Sequence, residues 1–161
     1  MIKKVKKVSD SAVEDNKYQV FPGDLNDKGT LFGGRAMEVF DWVAGYVAMK
    51  HSNLMCVTKS NFIEFAAPSY EWEVLTFKAS VNHVWRSSME IGVKAFAENL
   101  KTGEVRHVIS GYSVLVTVDP NDKKPIPVGV DLELSTADEI RRYHEADLRK
   151  KFWSGMRRKR P

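Results

Sequence analysis

Cysteine is nearly missing from these 161 residues. Cys56 stands alone, so no disulfide can form within the chain, and a reducing compartment, the cytoplasm, is the expected location. Long apolar runs are missing too. The most continuous one, Ala36 to Met49, is shorter than the roughly 20 residues of a membrane span, and Glu38 and Asp41 interrupt it, so no membrane partner is expected. Val8 to Asp15 offers no apolar core for a signal peptide. His51, His83, His107 and His144 are scattered rather than spaced as ligands, which leaves no expected metal site. There is no Gly-x-Ser-x-Gly elbow, which argues against a serine hydrolase of that design. A phosphate-binding loop of the nucleotide-hydrolase type is missing as well. No repeat or low-complexity linker divides the chain.

What is present suits one folded domain: 43% of residues are hydrophobic and 29% charged, and a chain this long buries about 68–70% of its unfolded surface. The formal net charge is +4, and the excess is concentrated at the ends. Lys3, Lys4, Lys6 and Lys7 lie near the start; Arg149, Lys150, Lys151, Arg157, Arg158, Lys159 and Arg160 lie near the finish. Such ends suit an anionic partner, whether nucleic acid, a membrane surface or a phosphorylated small molecule, and equally suit solvated tails.

Tyr18 to Phe21 reads as a short strand, Pro22 to Thr30 as a turn-rich loop, and Phe32 to about His51 as a buried helix. Alternating segments follow at Met55–Phe65, Trp72–Arg86, Ser87–Glu98 and Val105–Val118. Leu75, Phe77, Ala79 and Val81 point one way and Thr76, Lys78, Ser80 and Asn82 the other, the period-two mark of a strand with one covered face. Lys101-Thr102-Gly103 suits a hairpin turn. After Pro125-Ile126-Pro127 the chain becomes helical and charged, with Ser135/Asp138 or Thr136/Glu139 able to cap a last helix. The expected architecture is α+β: an antiparallel sheet wrapped around a long central helix, with an additional C-terminal helix. Residues 1–16 form a basic N-terminal segment, 17–128 the main domain and 129–161 a helical basic extension. The central helix would keep an exposed apolar flank, which a two-fold dimer could bury.

Asp41 is the principal candidate for chemistry. A carboxylate among Met37, Val39, Phe40, Trp42, Val43 and Ala44 is costly to bury without a partner or a task. Gly34, Glu38, Asp41, Gly45 and Ala48 fall near one helix face, where small residues admit a slender ligand. Gly33 and Gly34 sit at the helix N-terminus, whose unpaired N–H groups and dipole can polarise a carbonyl. Glu38 is a reserve candidate, or a solvent-facing charge.

The segment Asp24-Leu25-Asn26-Asp27-Lys28-Gly29-Thr30-Leu31-Phe32-Gly33-Gly34, followed by Met37 and Asp41, resembles the acyl-CoA thioesterases of the hot-dog fold. It is closest to their broad-range acyl-CoA hydrolase branch. Phe65-Ala66-Ala67-Pro68, Arg86-Ser87-Ser88-Met89 and Tyr112 to Asp119 continue the resemblance, which spans roughly Val20 to Pro127. It implies hydrolysis of acyl-CoA to free acid and CoA, with no separate cofactor, since CoA is part of the substrate. Asp41 would act as general base or nucleophile, facing Asn26 of a partner subunit, with Gly33 and Gly34 polarising the thioester carbonyl. Arg86, Ser87 and Ser88 would lie near the CoA phosphates. Two departures stand out: relatives commonly carry glycine before the Arg-Ser-Ser segment, where this chain has Trp85, and Gly-Asp where it has Trp72-Glu73.

Beside the hydrolase stand two other readings. A hot-dog dehydratase needs a histidine in or near the active-site helix, and Pro22 to Lys50 has none. A non-catalytic acyl-CoA sensor that regulates transcription needs a helix-turn-helix module, for which the residues before Tyr18 are too few. Acyl-CoA is therefore the expected partner, nucleic acid is not, and a homodimer is expected, with trimers of dimers frequent among relatives.

Overall fold

The computed structural model describes residues 4–156. In chain order it contains β1 (Lys4–Lys7), β2 (Val13–Gln19), α1 (Gly33–Ser52), β3 (Cys56–Phe65), β4 (Glu73–Val84), β5 (Ser88–Asn99), β6 (Val105–Thr117), β7 (Val130–Glu133) and α2 (Ala137–Met156). Five strands form one antiparallel sheet in the order β2-β4-β5-β6-β3. This sheet curls round α1 in the expected hot-dog arrangement. No helix among the described residues is long and apolar enough to cross a membrane.

The meander follows the alternation closely, because each strand has one face committed to the core. Leu75, Phe77 and Val81 of β4, Ile91 and Val93 of β5 and Leu115 of β6 are buried there against Phe40, Val43, Ala44 and Val47 of α1. The hairpin after β5 is built by Asn99, whose side-chain oxygen accepts the Lys101 N–H at 2.9 Å, and by Gly103 at φ 73°, where glycine carries no penalty. At Gly111 of β6, a Cβ would stand 2.1 Å from the Phe62 carbonyl oxygen and 3.0 Å from the Phe40 ring. Only glycine lets β3, β6 and α1 approach so closely.

Three expectations need revision. The expected strand at Tyr18–Phe21 is instead Val13–Gln19, a polar stretch that becomes a strand by pairing with β4, so its own composition barely announced it. Helix α1 is not buried all round: its stripe through Ala36, Phe40, Val43, Ala44 and Val47 is covered, while Met37, Trp42, Tyr46 and Met49 are exposed. That flank is the apolar surface expected to seek a partner. The outer face of β4 is also covered near its end, because Ser80, Asn82 and His83 are buried. A bulge at Asn82 places neighbouring side chains on one side, and α2 packs over them.

Two ion pairs fix these layers. Arg106 donates two bonds of 2.8 Å to Glu73 and one of 2.9 Å to the Pro68 carbonyl, tying the segment before β4 to β6. Arg149 of α2 donates at 2.6 and 3.2 Å to Glu90 of β5, which also accepts from Asn82 at 3.1 Å. Helix α2 starts with a capping box: Glu139 N–H donates to the Thr136 hydroxyl, and Glu139 accepts from the Ser135 and Thr136 N–H groups. Strand β1 runs parallel to β7, and Lys6 donates to the Lys50 and His51 carbonyls at 2.8 Å each, closing the end of α1. The basic N-terminal strand is thus seated against β7 and the end of α1, while the basic run Arg157 to Arg160 lies outside the described residues. Trp72 takes φ 67°, a left-handed conformation that costs a side chain about 1–2 kcal/mol. This explains why glycine suits that position elsewhere.

Candidate active site

Asp41 lies on the flank of α1 that faces β3 and is half-buried in the single chain, less enclosed than its apolar surroundings suggested. Its Oδ1 accepts two hydrogen bonds, from the Thr58 hydroxyl at 2.9 Å and from the Asn61 amide at 2.8 Å. No described residue bonds Oδ2. The carboxylate is therefore held by one oxygen and presents the other.

Sequence reasoning missed both donors, and the reason is geometric. Thr58 and Asn61 are three apart, so a regular strand would send them to opposite faces. The register shows otherwise: Thr58 pairs with Leu115, Ser60 with Val114 and Asn61 with Ser113. Lys59 is the extra residue of a bulge, and beyond it the alternation resets. Thr58 and Asn61 then share the face that looks at α1. The available signal was the polar run Thr58 to Asn61 inside a strand, but its meaning depended on the bulge.

Gly33 and Gly34 open α1. The Arg35 and Ala36 N–H groups bond the Phe32 carbonyl, while no described group accepts from Gly33 or Gly34. Phe32 supplies no side-chain cap, so this helix end is free to donate. Beside it opens a cavity of about 390 Å³ lined by Leu31, Gly33, Ala36, Phe65, Ala67 and Ile109, an apolar space at the mouth of the helix. The loop before it is braced by Asp24, which accepts the Phe21 N–H at 2.9 Å and pairs with Arg35 at 3.2 Å. Burial pushes the Asp24 carboxyl up, but the Phe21 N–H, the Tyr18 hydroxyl and Arg35 outweigh it and hold it below its ordinary value. Burial first, then Asp24, push Tyr18 up to about 12.

Asn26 is not beside Asp41 within the chain. Its side-chain oxygen accepts the Lys28 N–H at 2.9 Å and the Thr30 N–H at 3.2 Å, and its amide donates to the Thr30 hydroxyl at 3.0 Å. That is turn chemistry. Glu38 is exposed and pairs with Arg35 at 2.6 Å, away from the Asp41 donors. In the Arg86-Ser87-Ser88 segment, Ser87 and Ser88 line a groove beneath α2, whereas Arg86 is exposed outside it.

A model of the thioesterase superfamily matches residues 28–104. Protein VdlD of Helicobacter pylori is 34% identical over 136 residues, 84% of this chain and 76% of that protein. Among solved structures, a hexameric acyl-CoA thioesterase without ligand superposes with TM-score 0.88 and 32% identity, covering 96% of this chain and 99% of the other. The acyl-CoA hydrolase of Staphylococcus aureus, in complex with butyryl-CoA, CoA and CoA disulfide, superposes at 0.84 with 28% identity, covering 94% and 91%. That enzyme has also been solved with alanine in place of an asparagine, an aspartate or a threonine.

Proposed function

Because the chain belongs to the thioesterase superfamily, we propose that it hydrolyses acyl-CoA to free acid and CoA, with Asp41 as the general base. The carrying observation is the one-sided tethering of Asp41: Thr58 and Asn61 hold Oδ1, which leaves Oδ2 without a described partner and open to a water. A water there gives its proton to Oδ2 while its oxygen bonds to the thioester carbon. The negative charge moving onto the carbonyl oxygen is met by the Gly33 and Gly34 N–H groups and the helix dipole. Collapse breaks the carbon–sulfur bond, and the proton held by Asp41 passes to the departing thiolate.

Asn26 completes the site from a partner subunit, as the resemblance implies, and the exposed flank of Trp42, Tyr46 and Met49 is the surface that a dimer covers. Trimers of such dimers match the hexameric relative. Asparagine, aspartate and threonine, the residue types replaced in the staphylococcal enzyme, are those at Asn26, Asp41 and Thr58. Of the Arg86-Ser87-Ser88 segment, Ser87 and Ser88, which line the groove beneath α2, serve the CoA end of the substrate.

Thiol release from a panel of acyl-CoAs tests the reading. Asp41→Asn should lower kcat by roughly 10²- to 10⁴-fold. Thr58→Val, which removes one charge-assisted bond, should lower it roughly 10- to 100-fold. A single turnover in heavy-oxygen water should label the acid and leave Asp41 unlabelled; label in Asp41 would make it the nucleophile. Asn26→Ala mixed with Asp41→Asn should recover activity in mixed oligomers. Full activity in Asp41→Asn would refute the assignment, and binding without turnover by the parent protein would make it a sensor.

A further inference from the structure

Ser113 of β6 carries a hydroxyl that the Asp41 chemistry does not use. The residue is 0% exposed, and its Oγ has no hydrogen-bond partner among the described residues. A hydroxyl shut away from water and unpaired is destabilising, and native interiors seldom keep one without a use. Its place in the fold suggests the use. Alternation along β6 sets Gly111, Ser113 and Leu115 on the face that meets α1. A Cβ on Gly111 would stand 3.0 Å from the Phe40 ring, and one on Gly45 would stand 3.9 Å from the Leu115 side chain. Ser113, between Gly111 and Leu115, therefore faces the turn of α1 between Phe40 and Gly45, the turn that carries Asp41.

Across the sheet Ser113 pairs with Ile91 of β5 on one side and with Asn61 of β3 on the other. Directly opposed residues hold their Cβ atoms about 4.5–5.5 Å apart on one face, within the span of a single hydrogen bond between a serine and an asparagine. Ile91, Gly111 and Leu115 are apolar, so Asn61 is the polar side chain nearest to Ser113 in the sheet. The bulge at Lys59 turns Asn61 to this face, and the irregularity that gives Asp41 its second donor also sets that donor opposite Ser113. A primary amide has two ends, and only one suits a carboxylate. The Asn61 amide donates to Asp41 Oδ1 at 2.8 Å; turned by half a revolution, it would set a carbonyl oxygen against the negative charge. No described residue donates to that carbonyl oxygen, and the Asn61 side chain is exposed in the single chain.

We propose that Ser113 is a positioning residue for Asp41: its hydroxyl, by rotation, donates to the Asn61 carbonyl oxygen and so keeps the amide N–H on Asp41 Oδ1. This rests on the reading of Asp41 as general base, and it adds a residue that touches neither the attacking water nor the substrate. An amide free to turn leaves Oδ1 with Thr58 alone, and the carboxylate then offers Oδ2 over a wider range of directions. With Ser113 engaged, hydroxyl, amide and carboxylate form one chain of bonds in which each polarises the next. The subunit that covers the flank of α1 closes this chain by pressing the exposed Asn61 amide toward the sheet.

Ser113→Ala should lower kcat for butyryl-CoA about 10-fold, the worth of one hydrogen bond, with KM and the unfolding midpoint held. Ser113→Cys fills the same space with a weak donor and should lose nearly as much, which assigns the deficit to the bond rather than to packing. In an Asn61→Ala background the amide is gone, and adding Ser113→Ala should change kcat by less than about 2-fold. Full kcat in Ser113→Ala would overturn the proposal. So would the same 10-fold loss in both backgrounds, which would show Ser113 acting without Asn61. If the parent protein hydrolyses no acyl-CoA, the thioesterase reading fails by itself and the amide still decides the bond. Its side-chain N–H protons, identified in nuclear magnetic resonance spectra by their loss in Asn61→Ala, should exchange with water several-fold faster in Ser113→Ala than in the parent; equal exchange would overturn the bond.

Discussion

Replacing Arg149 with methionine probes the joint that holds α2 to the sheet. Glu90 is only 2% exposed and receives three donors: Arg149 at 2.6 Å on Oε1 and 3.2 Å on Oε2, and Asn82 at 3.1 Å on Oε1. The variant keeps most of the side-chain stem but leaves a buried carboxylate with one neutral donor. Removing one partner of a buried pair costs about 3–5 kcal/mol. Arg149 retains 23% of its surface, so water reaches part of the vacated space and the lower end applies, about 3 kcal/mol. At about 2–4 °C per kcal/mol for a chain this long, the unfolding midpoint should fall by about 6–12 °C, measured by circular dichroism at fixed protein concentration. Glu90→Leu combined with Arg149→Met removes both charges and should return stability to within about 1 kcal/mol of the parent. A single variant within about 0.5 kcal/mol of the parent, or a double variant as unstable as the single, would refute this account.

Acid sensitivity should reside largely in His83, which is buried between Trp85 and Tyr143 with ring centres at 4.4 and 3.8 Å. Burial foremost pushes its pKa down to about 4 from the usual 6.5. The unfolded chain takes up the proton first, so stability is fully present above pH 6.5 and is lost as pH falls toward 4, by up to about 3 kcal/mol. His83→Phe should flatten that part of the stability–pH curve; an unchanged slope would contradict it. Gly111→Ala should cost about 1–3 kcal/mol or more through overpacking against the Phe62 carbonyl and Phe40. It should also lower kcat by moving β3, with Thr58 and Asn61, away from Asp41. Loss of stability at full kcat, seen by parallel melting and thiol-release assays, would break that link.

Legibility followed physical locality. Asp41 could be found because an acidic residue interrupting an apolar helical stretch is visible without tertiary information. The glycines ahead of it were visible for the same reason, since a helix start is a local event. Thr58 and Asn61 were not visible, because period-two reasoning separates residues of opposite parity and a bulge is set by pairing with β6. Within the Arg86-Ser87-Ser88 segment, the charge seemed the natural phosphate contact. The fold instead turns Arg86 outward and leaves the two serines lining the groove beneath α2.

Alternation and turn residues alone determined that this chain makes an antiparallel meander after one long helix, because those patterns express which side of each element meets water. Glycine placement likewise determined where that helix begins. Only the tertiary structure decided what surrounds the carboxylate and what covers the outer sheet. Both depend on contacts between segments distant in the chain: the bulge that resets β3, the Glu90–Arg149 pair that seats α2, and the meeting of β1 with β7. A local sequence pattern can say that a face will be buried, but the partner that buries it is chosen by the packing of the whole chain.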